Sequence, residues 1–130
     1  MQLDDILAWS QDQDRGRELE LADPVTGKPT GMKLRIAGPD SATQNRARLA
    51  LADAMAEQAD EHGRVSAAVR ERLRIESLAA CVLGWEILEE DKPVPFNQAN
   101  VIRLLRAATW VQAQVDAFAG DRAAFQGEAS

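Results

Sequence analysis

Cysteine, histidine and tyrosine are nearly or wholly missing from this chain, which has one, one and none of them in 130 residues. A single cysteine, Cys81, excludes an internal disulfide, and its neighbours Ala80 and Val82 make it a small core residue of a reducing compartment. Without a second cysteine or histidine at ligand spacing, no zinc site is written into the sequence. His62, the one histidine, stands beside Gly63 at an expected helix end, where it reads as part of a terminus and not as a metal ligand or general base. Lysine is also scarce, and the formal net charge is −6. That balance argues against nucleic acid, because duplex binding draws on Lys and Arg to neutralise phosphates. The opening Met1-Gln2-Leu3-Asp4-Asp5 lacks the basic and long apolar regions of a secretory leader, and no apolar run is long enough to cross a bilayer. The chain is therefore expected in the cytoplasm, away from membranes.

What is present is apolar content of 45%, enough for one domain of ordinary size spanning residues 1–130. Its organising stretch is Ile75 to Phe118. From Leu78 to Trp85 the residues are apolar on every side, which as helix implies complete enclosure, with Trp85 as a core anchor. Pro93 and Pro95 then force a turn. Asn97 supplies a cap for a new helix, with Phe96 placed to staple onto Val101. An apolar stripe through Val101, Leu104, Leu105, Ala108, Val111, Val115 and Phe118 keeps helical spacing for about five turns.

Upstream, Leu3, Ile6, Leu7 and Trp9 have helical spacing for barely two turns, so residues 1–15 read either as a docked turn or as a mobile end. Arg17 to Leu21 and Met32 to Ala37 alternate as strands, joined across two prolines and two glycines in a β-hairpin over residues 17–37. Asp40-Ser41 caps a long Ala-rich helix from Ala42 to about Glu61, with Ala47, Leu51 and Met55 as its ridge. A further helix is expected from Val65 to Leu88, its Arg70, Arg72 and Arg74 paired with Glu71 and Glu76. Gly120 to Phe125 makes one short helical turn, and the last few residues to Ser130 should be loose. The expected fold is α+β, mainly α: an N-terminal hairpin, then a helical body over residues 41–126 built as a bundle of three main helices.

Catalytic chemistry is not legible. Glu89, Glu90 and Asp91 read as a solvated turn past a helix end, not as paired acid and base. The glycines do not form a phosphate loop. No catalytic, cofactor-binding or metal-binding residue is assigned, and the chain is expected not to be an enzyme. One surface stands out. On a continuous last helix, Ile102, Arg106, Trp110, Ala113 and Ala117 gather opposite the main stripe, giving a second face that is either central in the domain or free for a partner.

Several motifs resemble one family. They are the hairpin tip Asp23-Pro24-Val25-Thr26-Gly27-Lys28-Pro29-Thr30-Gly31, the lead-in Gly38-Pro39-Asp40-Ser41, Gly84-Trp85 followed by acids, Pro93-Val94-Pro95-Phe96-Asn97, and a helix carrying Leu104-Leu105 and Trp110. From about Arg17 to Phe125 the chain is similar to the tail assembly chaperones of long-tailed bacteriophages, prophages and gene transfer agents. The resemblance implies a non-enzymatic protein of the bacterial host cytoplasm. Such a protein binds the tape measure protein, keeps it soluble and helps tail tube protein polymerise around it, and many are made in two lengths by a frameshift; a homo-oligomer is a further partner to be tested. It supplies no catalytic residues. A structural virion component, such as a head–tail connector or tail completion protein, and an acidic regulatory adaptor remain the alternatives.

Overall fold

The structure, a computed structural model, describes residues 1–126. The expectation of loose final residues falls on 127–130, outside the described residues. The chain opens with a helix, α1 (Leu3–Arg15), and not with a strand. A hairpin follows, β1 (Arg17–Ala22) and β2 (Pro29–Ile36), then helices α2 (Ala42–Gln58) and α3 (Ala67–Ala79). Next comes a strand, β3 (Val82–Glu86), and a miniature hairpin, β4 (Leu88–Glu89) and β5 (Lys92–Pro93). Helices α4 (Gln98–Ala107) and α5 (Thr109–Ala119) and a 3₁₀ turn at Arg122–Phe125 complete the fold.

Two expectations about architecture are corrected. The fold is α+β, but strands lie between helices, so it is not an N-terminal hairpin followed by a three-helix bundle. The error lies in the all-apolar run. Helix α3 stops at Ala79, and Val82–Glu86 extends to pair with β2, completing an antiparallel sheet of order β1-β2-β3. A short apolar run suits a buried strand as well as a buried helix, and Gly84, with Val82 and Trp85 beside it, favours the strand. Trp85 is accordingly half-buried at a sheet position opposite Leu34, not enclosed in a helix.

The second correction is at Ala108, whose extended backbone (φ −152°, ψ 123°) breaks the expected last helix into α4 and α5. Neither proline nor glycine marks the break. Bending lets both pieces turn an apolar side to the sheet: Val101 and Leu105 from α4, and Val111, Val115 and Ala119 from α5, are all buried. The bend strands carbonyls at the end of α4. Gln112 answers this, its Nε2 donating to Leu105 O at 2.7 Å, while Arg74 donates to its Oε1.

The core packs α3, α4, α5 and Phe125 on one face of the sheet, against Leu21, Leu34, Ile36 and Val82. Leu19 and Leu21 of β1, and Met32, Leu34 and Ile36 of β2, take this inner side, as their alternation requires. On the other side residues of opposite charge stand in register, Glu18 opposite Arg35 and Glu20 opposite Lys33.

The hairpin tip is organised by Asp23, whose Oδ1 accepts from the backbone N–H groups of Val25 (2.8 Å) and Thr26 (3.0 Å). Those bonds, Thr26's first, hold its carboxyl below the usual range. The expected caps are present: Ser41 Oγ accepts from Gln44 N at 3.1 Å, and Asn97 Oδ1 from Asn100 N at 2.8 Å. Helix α2 ends at Gln58, so His62 and Gly63 sit in the following loop and do not terminate the helix.

Glutamines do much of the joining. Gln44 Nε2 donates to Ala37 O (2.7 Å) and Ala119 O (2.8 Å), tying α2 to the end of β2 and the end of α5. Gln114 brackets Ala22, accepting from its N–H at 2.9 Å and donating to its C=O at 2.8 Å. Gln13, fully buried, fastens α1 by accepting from Asp40 N at 2.7 Å. Trp9 Nε1 adds a bond to Phe125 O at 3.1 Å. The N-terminal segment is thus a docked helix. It turns into β1 through Gly16 (φ +77°), where a Cβ would lie 2.7 Å from Ile36 O.

Candidate functional site

The residues assigned to the second face of the last helix fall on two helices. Ile102 and Arg106 belong to α4; Trp110, Ala113 and Ala117 belong to α5, beyond the break. Ile102 and Trp110 are half-buried and pack against the core, while Arg106, Ala113 and Ala117 are exposed. The five do not form one continuous helical face. Gln114, next to them in sequence, is spent on Ala22.

The titratable groups are dispersed. Among the described residues no group of three or more His, Cys, Asp and Glu is placed to hold a metal ion. His62 is exposed, 3.5 Å from Glu61. Cys81 is buried, its Sγ 3.5 Å from Ser77 O, and desolvation pushes its thiol up to about 11. Arg72 pairs with Glu76 and Arg74 with Glu71, as their helical spacing implies. Among the described residues no helix is long and apolar enough to cross a membrane.

Apolar surface is the more informative feature. Leu3 (68% exposed), Ile6 and Leu7 (51%) stand in solvent on α1, one helical stripe that the body leaves uncovered. A second apolar surface is concave. Between β3, the miniature hairpin and α4 lies a cleft of about 220 Å³ floored by Met32, Trp85, Ile87, Val94 and Leu104. Leu88 (64% exposed) lines it too, and Phe96 (44%) stands outside it against Trp85, the two rings meeting edge-on with centroids 5.8 Å apart. Phe96 therefore packs on Trp85 and is largely open to solvent. Trp85 Nε1 donates to Val94 O at 2.9 Å, which fixes the indole and roots the hairpin.

Across the mouth, Arg103 on α4 reaches Glu89 on β4, with both N–O distances 3.3 Å. The hairpin turns through Glu90 and Asp91, both at positive φ (52° and 63°), where asparagine and glycine are the usual occupants. The turn expected at Pro93 and Pro95 is made just ahead of them, and Pro93 itself belongs to β5. What the prolines could not signal was the cleft, because that depends on Trp85 lying in a strand.

A third surface, the shallow groove between α2 and α3, is lined by Ala47, Ala50, Ala54 and Leu73. Compared with protein-family models, with curated proteins and with solved structures, the chain matches none.

Proposed function

We propose that this chain is a tail assembly chaperone of a long-tailed bacteriophage or prophage. In this reading it binds the tape measure protein in the host cytoplasm, keeps it soluble while tail tube protein assembles around it, and catalyses no reaction. Beside the resemblance of its motifs, the observation that carries the reading is the apolar cleft at Trp85, with Leu88 exposed in its lining and Phe96 exposed beside it, on a chain of net charge −6. A client that is one long helix with repeated apolar stripes needs many modest apolar receptors on soluble carriers, and avidity supplies the retention that each contact lacks. The test is co-expression with the very long helical reading frame next to its gene. The client should become soluble and co-purify with this chain in several copies. A client that stays insoluble, with no co-purification, refutes the proposal.

A further inference from the structure

We infer that α1 is a detachable arm whose release uncaps the first turn of α2, so that the arm and that turn open as one unit apart from the core. Helix α1 buries one side chain, Gln13, and none of its residues joins or packs against the apolar core between the sheet and α3, α4 and α5. Residues 1–8 are exposed throughout. Among the described residues, the hydrogen bonds from α1 to the body all start between Trp9 and Arg15.

The clasp is polar and reaches two elements at once. Gln13 O accepts from Gly38 N at 3.0 Å, and its side chain from Asp40 N at 2.7 Å. Asp14, the next residue, extends its carboxylate to the start of α2, accepting from Ala42 N (3.2 Å), Thr43 N (3.0 Å) and the Thr43 hydroxyl (3.0 Å). Those two N–H groups open the helix and have no partner within it. The helix's own cap, Ser41, takes Gln44 N instead. Helix α1 therefore caps α2 from outside. Once Asp14 leaves, Ala42 and Thr43 lose their acceptor, and once that turn frays Asp14 has nothing to hold. Docking of the arm and order of the turn are a single equilibrium.

Neighbouring contacts set the limits of the opening. On one side Gln44 Nε2, bonded to Ala37 O and Ala119 O, ties α2 to the core; on the other, Arg17 begins β1. Trp9 is the one large apolar side chain of α1 that is even half-buried. Little apolar burial is lost on release, which is the condition for local opening well short of global unfolding. A free helix of 13 residues is marginal in water, so α1 loses its helix when it lets go, and its amides then exchange.

The test is residue-resolved amide hydrogen exchange by NMR on the full chain. In wild type the amides of Trp9 to Gln13, together with those of Ala42 and Thr43, should share one protection factor, at least about 100-fold below those of Leu105 and Val115. Asp14→Ala should lower protection in both segments by about tenfold or more and leave Leu105 and Val115 within about twofold of wild type. Gln13→Ala, at a residue with no hydrogen bond to the first turn of α2, should lower protection at Ala42 and Thr43 as well. Wild-type α1 amides as protected as Val115, or not protected at all, overturn the inference. So does a loss confined to Ala42 and Thr43 in Asp14→Ala, or unchanged protection there in Gln13→Ala, since either leaves a cap without coupling. A parallel fall at Leu105 and Val115 in either variant makes α1 part of the cooperative core and overturns it too.

Discussion

Replacing Gln112 by methionine tests whether this one amide seals the break between α4 and α5. Methionine keeps the length and fills the buried site but cannot donate to Leu105 O, a fully buried residue's carbonyl in the last turn of α4. A buried acceptor left without a partner costs about 1 to 3 kcal/mol. The lost bond from Arg74 adds little, because that guanidinium keeps Glu71 at 2.8 Å and is 45% exposed. The expected loss is about 2 kcal/mol. Gln112→Ala also empties the space of the side chain and should reach about 3 to 4 kcal/mol. With a urea slope on the order of 1.5 kcal/mol/M, the methionine variant's midpoint should fall by about 1.3 M. Gln98, an exposed glutamine at the start of α4, is the control, and Gln98→Ala should stay within about 0.5 kcal/mol of wild type. A midpoint shift for Gln112→Met as small as that of the control would refute the reasoning: the carbonyl would then have another partner, and packing alone would hold the bend.

Removing the side-chain caps at Ser41 and Asn97 should not cost the same. Ser41 is buried and also donates to Gly38 O at 2.6 Å, so Ser41→Ala should lose about 2 kcal/mol in denaturant melts, against about 1 for the exposed Asn97→Ala. Asp40 is held below its ordinary value of 3.8, chiefly by hydrogen bonds from Arg122. A depressed folded value means the stabilisation is present above 3.8 and lost as pH falls through the folded value; Asp40→Asn should therefore be less stable at neutral pH and lose less stability in acid titrations. Cys81, with its thiol pushed up to about 11, should react with iodoacetamide at pH 8 on the order of 100-fold more slowly in the folded protein than in urea.

The parts of the fold legible in the sequence were those decided by neighbours in the chain. Alternation placed Leu21, Leu34 and Ile36 on the inner side of the hairpin, and local capping chemistry placed Ser41 and Asn97. The third strand was hidden because Val82, Leu83 and Trp85 satisfy a buried helix and a buried strand equally until β2 is there to pair with them. Ala108 carries no signal of its break. Bending there is selected by the gain from burying Leu105 and Val111 together. The glutamines were invisible for the same reason, since Gln44 and Gln114 bond to carbonyls and amides far away in the chain. For the site, a turn near the prolines was legible, but the chain makes it at Glu90 and Asp91, and Pro93 lies in β5 paired with Leu88. The cleft was not legible, and the five residues of the supposed second face lost their common cylinder once the helix divided.

The place of β3 at the far edge of the sheet bears on the order in which the molecule can be made. Strand β2 meets its second neighbour only when Val82 reaches Ile36 and Trp85 reaches Leu34, with all of α2 and α3 between them in the chain. A chain emerging from the ribosome therefore carries its hairpin for some time with one edge unpaired, and an isolated hairpin is barely stable in water. Closing so long a loop must precede its reward, which slows folding and leaves that edge open to other strands meanwhile. The sheet is thus among the last parts to set, although its first two strands are among the first to be synthesised.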